Sequence, residues 1–191
     1  MCSKMSNENG QTLMELIVVI LISVLVIGAL VFATIASLRN AQFAKNQAQA
    51  TKLAQEGIER VRVGRDRNQP ITISDTPVSS WNGYGSLCTG TTDIKTDSIW
   101  CYQINGNCGD STLASPTFCY FNVDNQGRLT NLTAASFIPS RAEDIPPFHR
   151  AIILSDDAVT FASLKTVTAV VRWTDFSGPH ESRLTTILRK I

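Results

Sequence analysis

From Leu16 to Leu38 the chain carries no charged residue, and 16 of those 23 positions are Leu, Ile, Val or Phe. A helix of roughly 20 residues, rising about 1.5 Å each, is enough to cross the hydrocarbon of a bilayer. At about −0.3 to −0.6 kcal/mol per large apolar residue, inserting this run gains on the order of 5 to 10 kcal/mol. Ser23, Gly28 and Thr34 subtract little from that. The alternative is a buried core helix, but the central helix of a soluble domain this size would rarely stay apolar on every face for six turns. A secretory signal would be shorter and followed by a small-residue cleavage site, and no good site precedes Arg39. The run is therefore expected to remain as a single-pass anchor with lipid as its first partner.

The rest of the 191 residues is long enough for one domain with a real core. A formal net charge of +1, without a basic stripe, argues against a nucleic-acid partner. Cys2 sits before the anchor, while Cys88, Cys101, Cys108 and Cys119 fall within 32 residues of the polar part. An even set of four in an exported domain suggests two disulfides, with three connectivities open. A zinc site is the alternative, but there is no C-x-x-C pair, and His149 and His180 lie far off; no metal is expected. One signal opposes export of the C-terminal part. Arg39, Lys45 and Lys52 follow the span, whereas Lys4 alone precedes it, and basic residues favour the cytoplasmic side.

Beyond the anchor, residues 39–66 keep helical composition, rich in Ala, Gln, Lys and Glu. Ala36, Phe43, Ala50, Ala54, Gly57 and Val61 recur at three- and four-residue steps, and Leu53 and Ile58 widen the stripe. This predicts an amphipathic helix leaving the membrane with its apolar face towards a globular body. After Pro70 the character changes to Gly, Ser, Thr, Asn and short apolar runs. ITIS, SIWCYQI, TFCYFNV, FHRAIIL, TVTAVVRW and SRLTTIL read as strands, with a hairpin turn at 124–129 and a C-terminal antiparallel meander against the helix. Residues 74–92 and 105–116 read as loop. The fold class is α+β: a long hydrophobic-to-amphipathic N-terminal helix packed on an antiparallel β-sheet head.

No catalytic constellation and no cofactor site emerges, so an enzyme is not expected. His149 and His180 lack a paired nucleophile pattern, and NGNCG at 105–109 does not bridge a strand and a helix. Asp124-Asn125 and Asp156-Asp157 match no calcium-loop spacing and read as turns. Arg60, Arg62, Arg65 and Arg67 are interspersed with Glu56, Glu59 and Asp66, the pattern of a solvated helix end. Asn131-Leu132-Thr133 is a glycosylation sequon by letter only.

The stretch NGQTLMELIVVI, with a lone carboxylate at the lip of the apolar run, resembles the N-terminal signature of type IV pilins and pseudopilins. The resemblance is specific over residues 9–38, extends into TKLAQEGIERVR, and is architectural beyond. It implies that residues 1–10 are a leader removed by a prepilin peptidase between Gly10 and Gln11, and that Gln11 is N-methylated. It further implies a transmembrane and assembly helix over 11–38, its amphipathic continuation over 39–66, and a β-rich head over 67–191. Two departures stand out. Gln11 replaces the usual Phe and can cyclise, and the anchor lacks a mid-span Pro, leaving Gly28 its only breaker.

Glu15 then acquires a chemical role. An ionised carboxylate in hydrocarbon costs about 2.5–3.5 kcal/mol on insertion scales. Cleavage turns the amide nitrogen of Gln11 into an amine with a reference pKa near 7.7–8.0, cationic at neutral pH. Residues 11 and 15 lie one turn apart, about 6 Å along a helix, so the pair can form within one chain or between stacked chains. The expected function is a structural subunit of a type IV pilus, as a minor pilin. The expected partners are other pilin subunits and an inner-membrane assembly platform. The alternatives are a pseudopilin of a type II secretion or DNA-uptake system, and a single-pass anchored binding protein that does not polymerise. The expected location is the inner membrane before assembly and a surface pilus or extracytoplasmic pseudopilus afterwards.

Overall fold

The computed structural model describes residues 8–73, 76–82, 98–101, 120–132, 139–157 and 159–191, excepting the side chains of 8–12 and 73–79. One helix, α1 (Glu8–Asp66), covers both the apolar run and its amphipathic continuation. The chain divides into two compact units within it, residues 1–46 and residues 47–191.

In the first unit every described side chain from Leu13 to Lys45 is exposed. Its large apolar residues range from 40% exposed at Phe43 to 77% at Phe32. Two of its hydroxyls bond back along the helix: Ser23 donates to the Val19 carbonyl at 2.7 Å and Thr34 to that of Val31 at 2.8 Å. Inside the uncharged run the backbone polar groups are paired along the helix, as a bilayer requires.

In the second unit the end of α1 is built by Asn68. It takes the left-handed conformation (φ 51°), its N–H reaches the Arg65 carbonyl, and the Gln69 N–H reaches that of Gly64 at 2.8 Å. This six-to-one plus five-to-two pattern closes a helix with an αL residue, a place where Asn substitutes for Gly. The Asn68 carboxamide then accepts from the Asn82 N–H at 2.7 Å, tying the helix end to the chain just past residues 76–80.

The sheet comprises β1 (Pro70–Ile73), β2 (Thr76–Ser80), β3 (Tyr120–Val123), β4 (Leu129–Asn131), β5 (Glu143–Ile145), β6 (Phe148–Ser155), β7 (Leu164–Asp175) and β8 (Gly178–Arg189). Their order is β2-β1-β4-β3-β6-β7-β8, and β5 pairs with β6 beside β3. The expected antiparallel sheet is in fact mixed, because β1 runs parallel to β4. A parallel neighbour requires a crossover, and here residues 74–128 supply it. Ile99–Cys101, expected in a strand, forms a 3₁₀ turn that buries Ile99 and Trp100. Residues 76–80, expected in a loop, form β2.

The core lies between residues 50–61 of α1 and one face of the sheet. Ala50, Ala54, Ile58 and Val61 meet Ile71, Phe121, Val123, Leu129, Ile152, Leu154, Val167, Ala169 and Val171. Ala36 and Phe43, earlier members of the predicted stripe, are exposed. On the opposite face Val170 and Ala151 pack with Leu132 and Ala142, which explains why β7 buries Val170 between its inward-facing neighbours.

Candidate assembly helix

The candidate site has two parts: the carboxylate within the apolar half of α1, and the docking of its second half on the sheet. Glu15 is exposed, and among the described residues nothing hydrogen-bonds or pairs with it. Helical backbone already spans Gly10 and Gln11, so Glu15 stands one turn beyond the expected cleavage point on a continuous helix. The side chain of Gln11 lies outside the described residues, as does leader segment 1–7.

Docking in the second unit relies on small residues and on arginine. An added Cβ at Gly64 would stand 2.0 Å from the Gly127 carbonyl oxygen, so helix and β3–β4 turn touch backbone to backbone. Gly127 has φ 83° within that turn, and its own added Cβ would meet the Arg60 carbonyl at 2.4 Å. The turn is held by Asp124, whose Oδ1 accepts from the N–H groups of Gln126 at 2.8 Å and Arg128 at 2.9 Å. That occupies the carboxylate considered for calcium. Asp157 likewise accepts from the Val159 N–H at 2.8 Å, while Asp156 pairs with Lys165.

Arg150, fully buried on β6, lies directly beneath Gly57, where an added Cβ would come within 3.1 Å of its Cδ. Its Nη1 donates to the Leu53 carbonyl at 2.9 Å. Its Nε and Nη2 grip one oxygen of Glu143 at 2.8 and 2.6 Å, and the other oxygen takes Arg60 Nη1 at 3.3 Å. A guanidinium presents five donors in a fixed fork, so one buried side chain can tie a helix carbonyl to a strand carboxylate. Two more arginines near the end of α1 also reach the sheet. Arg62 donates to Thr186 at 3.0 Å and Arg65 to the Arg189 carbonyl at 3.1 Å. The cluster expected to be a solvated helix end is thus largely a clasp along β8. Charge spacing along the helix could not show that, because its partners lie some 120 residues away.

The two histidines are separate. His149 Nδ1 stands 3.6 Å from Asp144. His180 stacks on Trp173 with ring centroids 5.3 Å apart, and its Nε2 meets Asp175 Oδ1 at 2.9 Å and Ser177 Oγ at 3.1 Å. Sequence reading missed this Ser–His–Asp cluster at the β7–β8 turn. Nucleophilic catalysis needs the acid on one ring nitrogen and the serine on the other. Here both crowd the same nitrogen, and Ser177 spends its proton on Asp175 at 2.6 Å. Donation by the Ser177 hydroxyl, with lesser help from its N–H and from His180, holds the Asp175 carboxyl below the usual carboxylate range. The arrangement is a turn lock.

Cys101 is disulfide-bonded. Cys88, Cys108 and Cys119 lie outside the described residues, as does Thr133 of the sequon. Among the described residues no group of three or more His, Cys, Asp or Glu side chains is placed to hold a metal. No protein-family model matches this chain, and neither a curated protein nor a solved structure does.

Proposed function

We propose that this chain is a structural subunit of a type IV pilus, a minor pilin, cut by a prepilin peptidase between Gly10 and Gln11 and assembled through its N-terminal helix. The observation that carries this reading is the pairing of two opposite surfaces on one helix. Residues 16–38 of α1 present exposed, uncharged and mostly apolar side chains all round, whereas residues 47–66 are committed to a sheet through Ala50, Ala54, Gly57 and Gly64. The first part has lipid or sister helices as its only favourable surroundings.

Glu15 supplies the specificity. Among the described residues no cation pairs with it, and cleavage generates one in the amine of Gln11. A carboxylate that costs about 2.5–3.5 kcal/mol in hydrocarbon is stabilised when a neighbouring subunit offers that amine, so processing licenses assembly and fixes the axial step. The disulfide at Cys101 favours a head outside the cytoplasm, against the basic residues that follow the span.

Co-expression with a prepilin peptidase tests the reading at its first step. The expected product begins at Gln11, carries an N-methyl group, and fails to appear when Gly10 is changed to Val. A product that keeps residues 1–10 in the presence of active peptidase would point to a non-polymerising membrane-anchored binding protein.

A further inference from the structure

Lys165 lies on the face of β7 that carries the buried Val167, Ala169 and Val171. Lys165 stands in register with Leu188 and two residues before Val167. Its side chain has no exposed surface, and neither has that of Asp156, which follows the end of β6 and contacts Lys165 Nζ through Oδ2. Phe161, in the turn between the two strands, lies with its ring centroid 5.6 Å from Nζ.

Two opposite charges removed from water each lose several kcal/mol of hydration, which attraction recovers only in part. Burial pushes the Lys165 ammonium below its ordinary range, while the hydrogen bond to Asp156 pulls it partly back. In such a site one proton shift converts the ion pair into a neutral amine against a carboxylic acid. Those are the two reactants of amide formation, held in contact where intramolecular reactions reach effective molarities of about 10⁵–10⁸ M. The surrounding core withholds the water that favours the separated groups.

We propose that Lys165 and Asp156 condense to an intramolecular side-chain amide. The Nζ lone pair attacks Cγ of the protonated Asp156 carboxyl, forming the N–Cγ bond. The Cγ–O bond breaks, and the acid's hydroxyl leaves with one amine proton as water. No oxidant, reductant or co-reactant takes part. Both buried charges disappear, and the chain from 156 to 165 becomes a closed ring across the β6–β7 turn. Strands pulled along their length then cannot part at this end. The inference rests on the sheet and is independent of the assembly reading.

Peptide mapping of the reduced full-length protein decides it. Trypsin cuts after Arg150, Lys165 and Arg172 in an unmodified chain. The amide leaves residues 151–172 as one peptide, uncut at Lys165 and lighter by the mass of one water. Chymotrypsin, cutting after Phe161, leaves the two pieces joined. The Lys165→Arg variant should show the full linear mass. Separate peptides 151–165 and 166–172 at full mass as the main species overturn the proposal. A peptide light by one water but cut at Lys165 overturns it too, since that loss belongs to an aspartyl succinimide.

Discussion

Glu15 matters because of where it stands: a single acid within an exposed apolar helix, with no partner among the described residues. Glu15→Ala should still insert and be processed, since removing a charge eases insertion. Its incorporation into filaments should fall by at least about tenfold, the equivalent of 1.4 kcal/mol; quantitative blotting of sheared material measures this. Arg150 sits at the other extreme, fully buried and fully used. Arg150→Ala leaves Glu143 Oε2 and the Leu53 carbonyl without the donors Arg150 supplies and should cost about 3 kcal/mol in chemical denaturation. Gly64→Ala drives a methyl group into the Gly127 carbonyl and should cost about 1–3 kcal/mol or prevent docking of the β3–β4 turn. Of these three, only Glu15 announced itself in the sequence, because an acid in an apolar run is conspicuous by itself. The glycine pair is 63 positions apart and gains its meaning only when the backbones meet.

The elements divide in the same way. α1 and the strands β6, β7 and β8 were legible because each carries a sustained period, 3.6 residues along the helix and two along TVTAVVRW and SRLTTIL. The three-residue strands β4 and β5 are too short to show any period, and their existence depends on the neighbours they pair with. SIWCYQI has strand composition, yet Ile99 and Trp100 are buried in a 3₁₀ turn with Trp100 against Trp81 at 5.8 Å. Burial of two large side chains overrode local propensity there. The β7–β8 hairpin also carries a pH dependence. Burial raises the Glu181 carboxyl, but hydrogen bonds from Arg183 and Arg172 outweigh it and hold that group, like Asp175, below the usual range. Carboxyls depressed in the folded state stabilise it above their unfolded pKa, near 4, and lose that contribution as pH falls through the folded value. Thermal unfolding followed by circular dichroism should therefore show Tm falling from about pH 5 towards pH 2. Asp175→Asn should flatten part of that slope; an unchanged slope would remove the hairpin from the account.

The molecule as a whole joins a helix that needs apolar company to a sheet that has already found its own. The mixed sheet and the arginine clasp give residues 47–191 a closed core, while residues 13–45 remain exposed along their entire length. The sequence carried this division openly, in the change from an uncharged run to an Ala-rich amphipathic one. It could not carry the parallel β1–β4 pairing or the clasp along β8, both of which join residues 57 or more positions apart. Assembly into a fibre is the claim on which the rest depends. Intact-mass spectrometry of surface filaments sheared from cells producing the chain tests it most directly. The account predicts the chain in that fraction, beginning at Gln11 with residues 1–10 gone. Finding it only in the membrane fraction, beginning at Met1, would contradict the account.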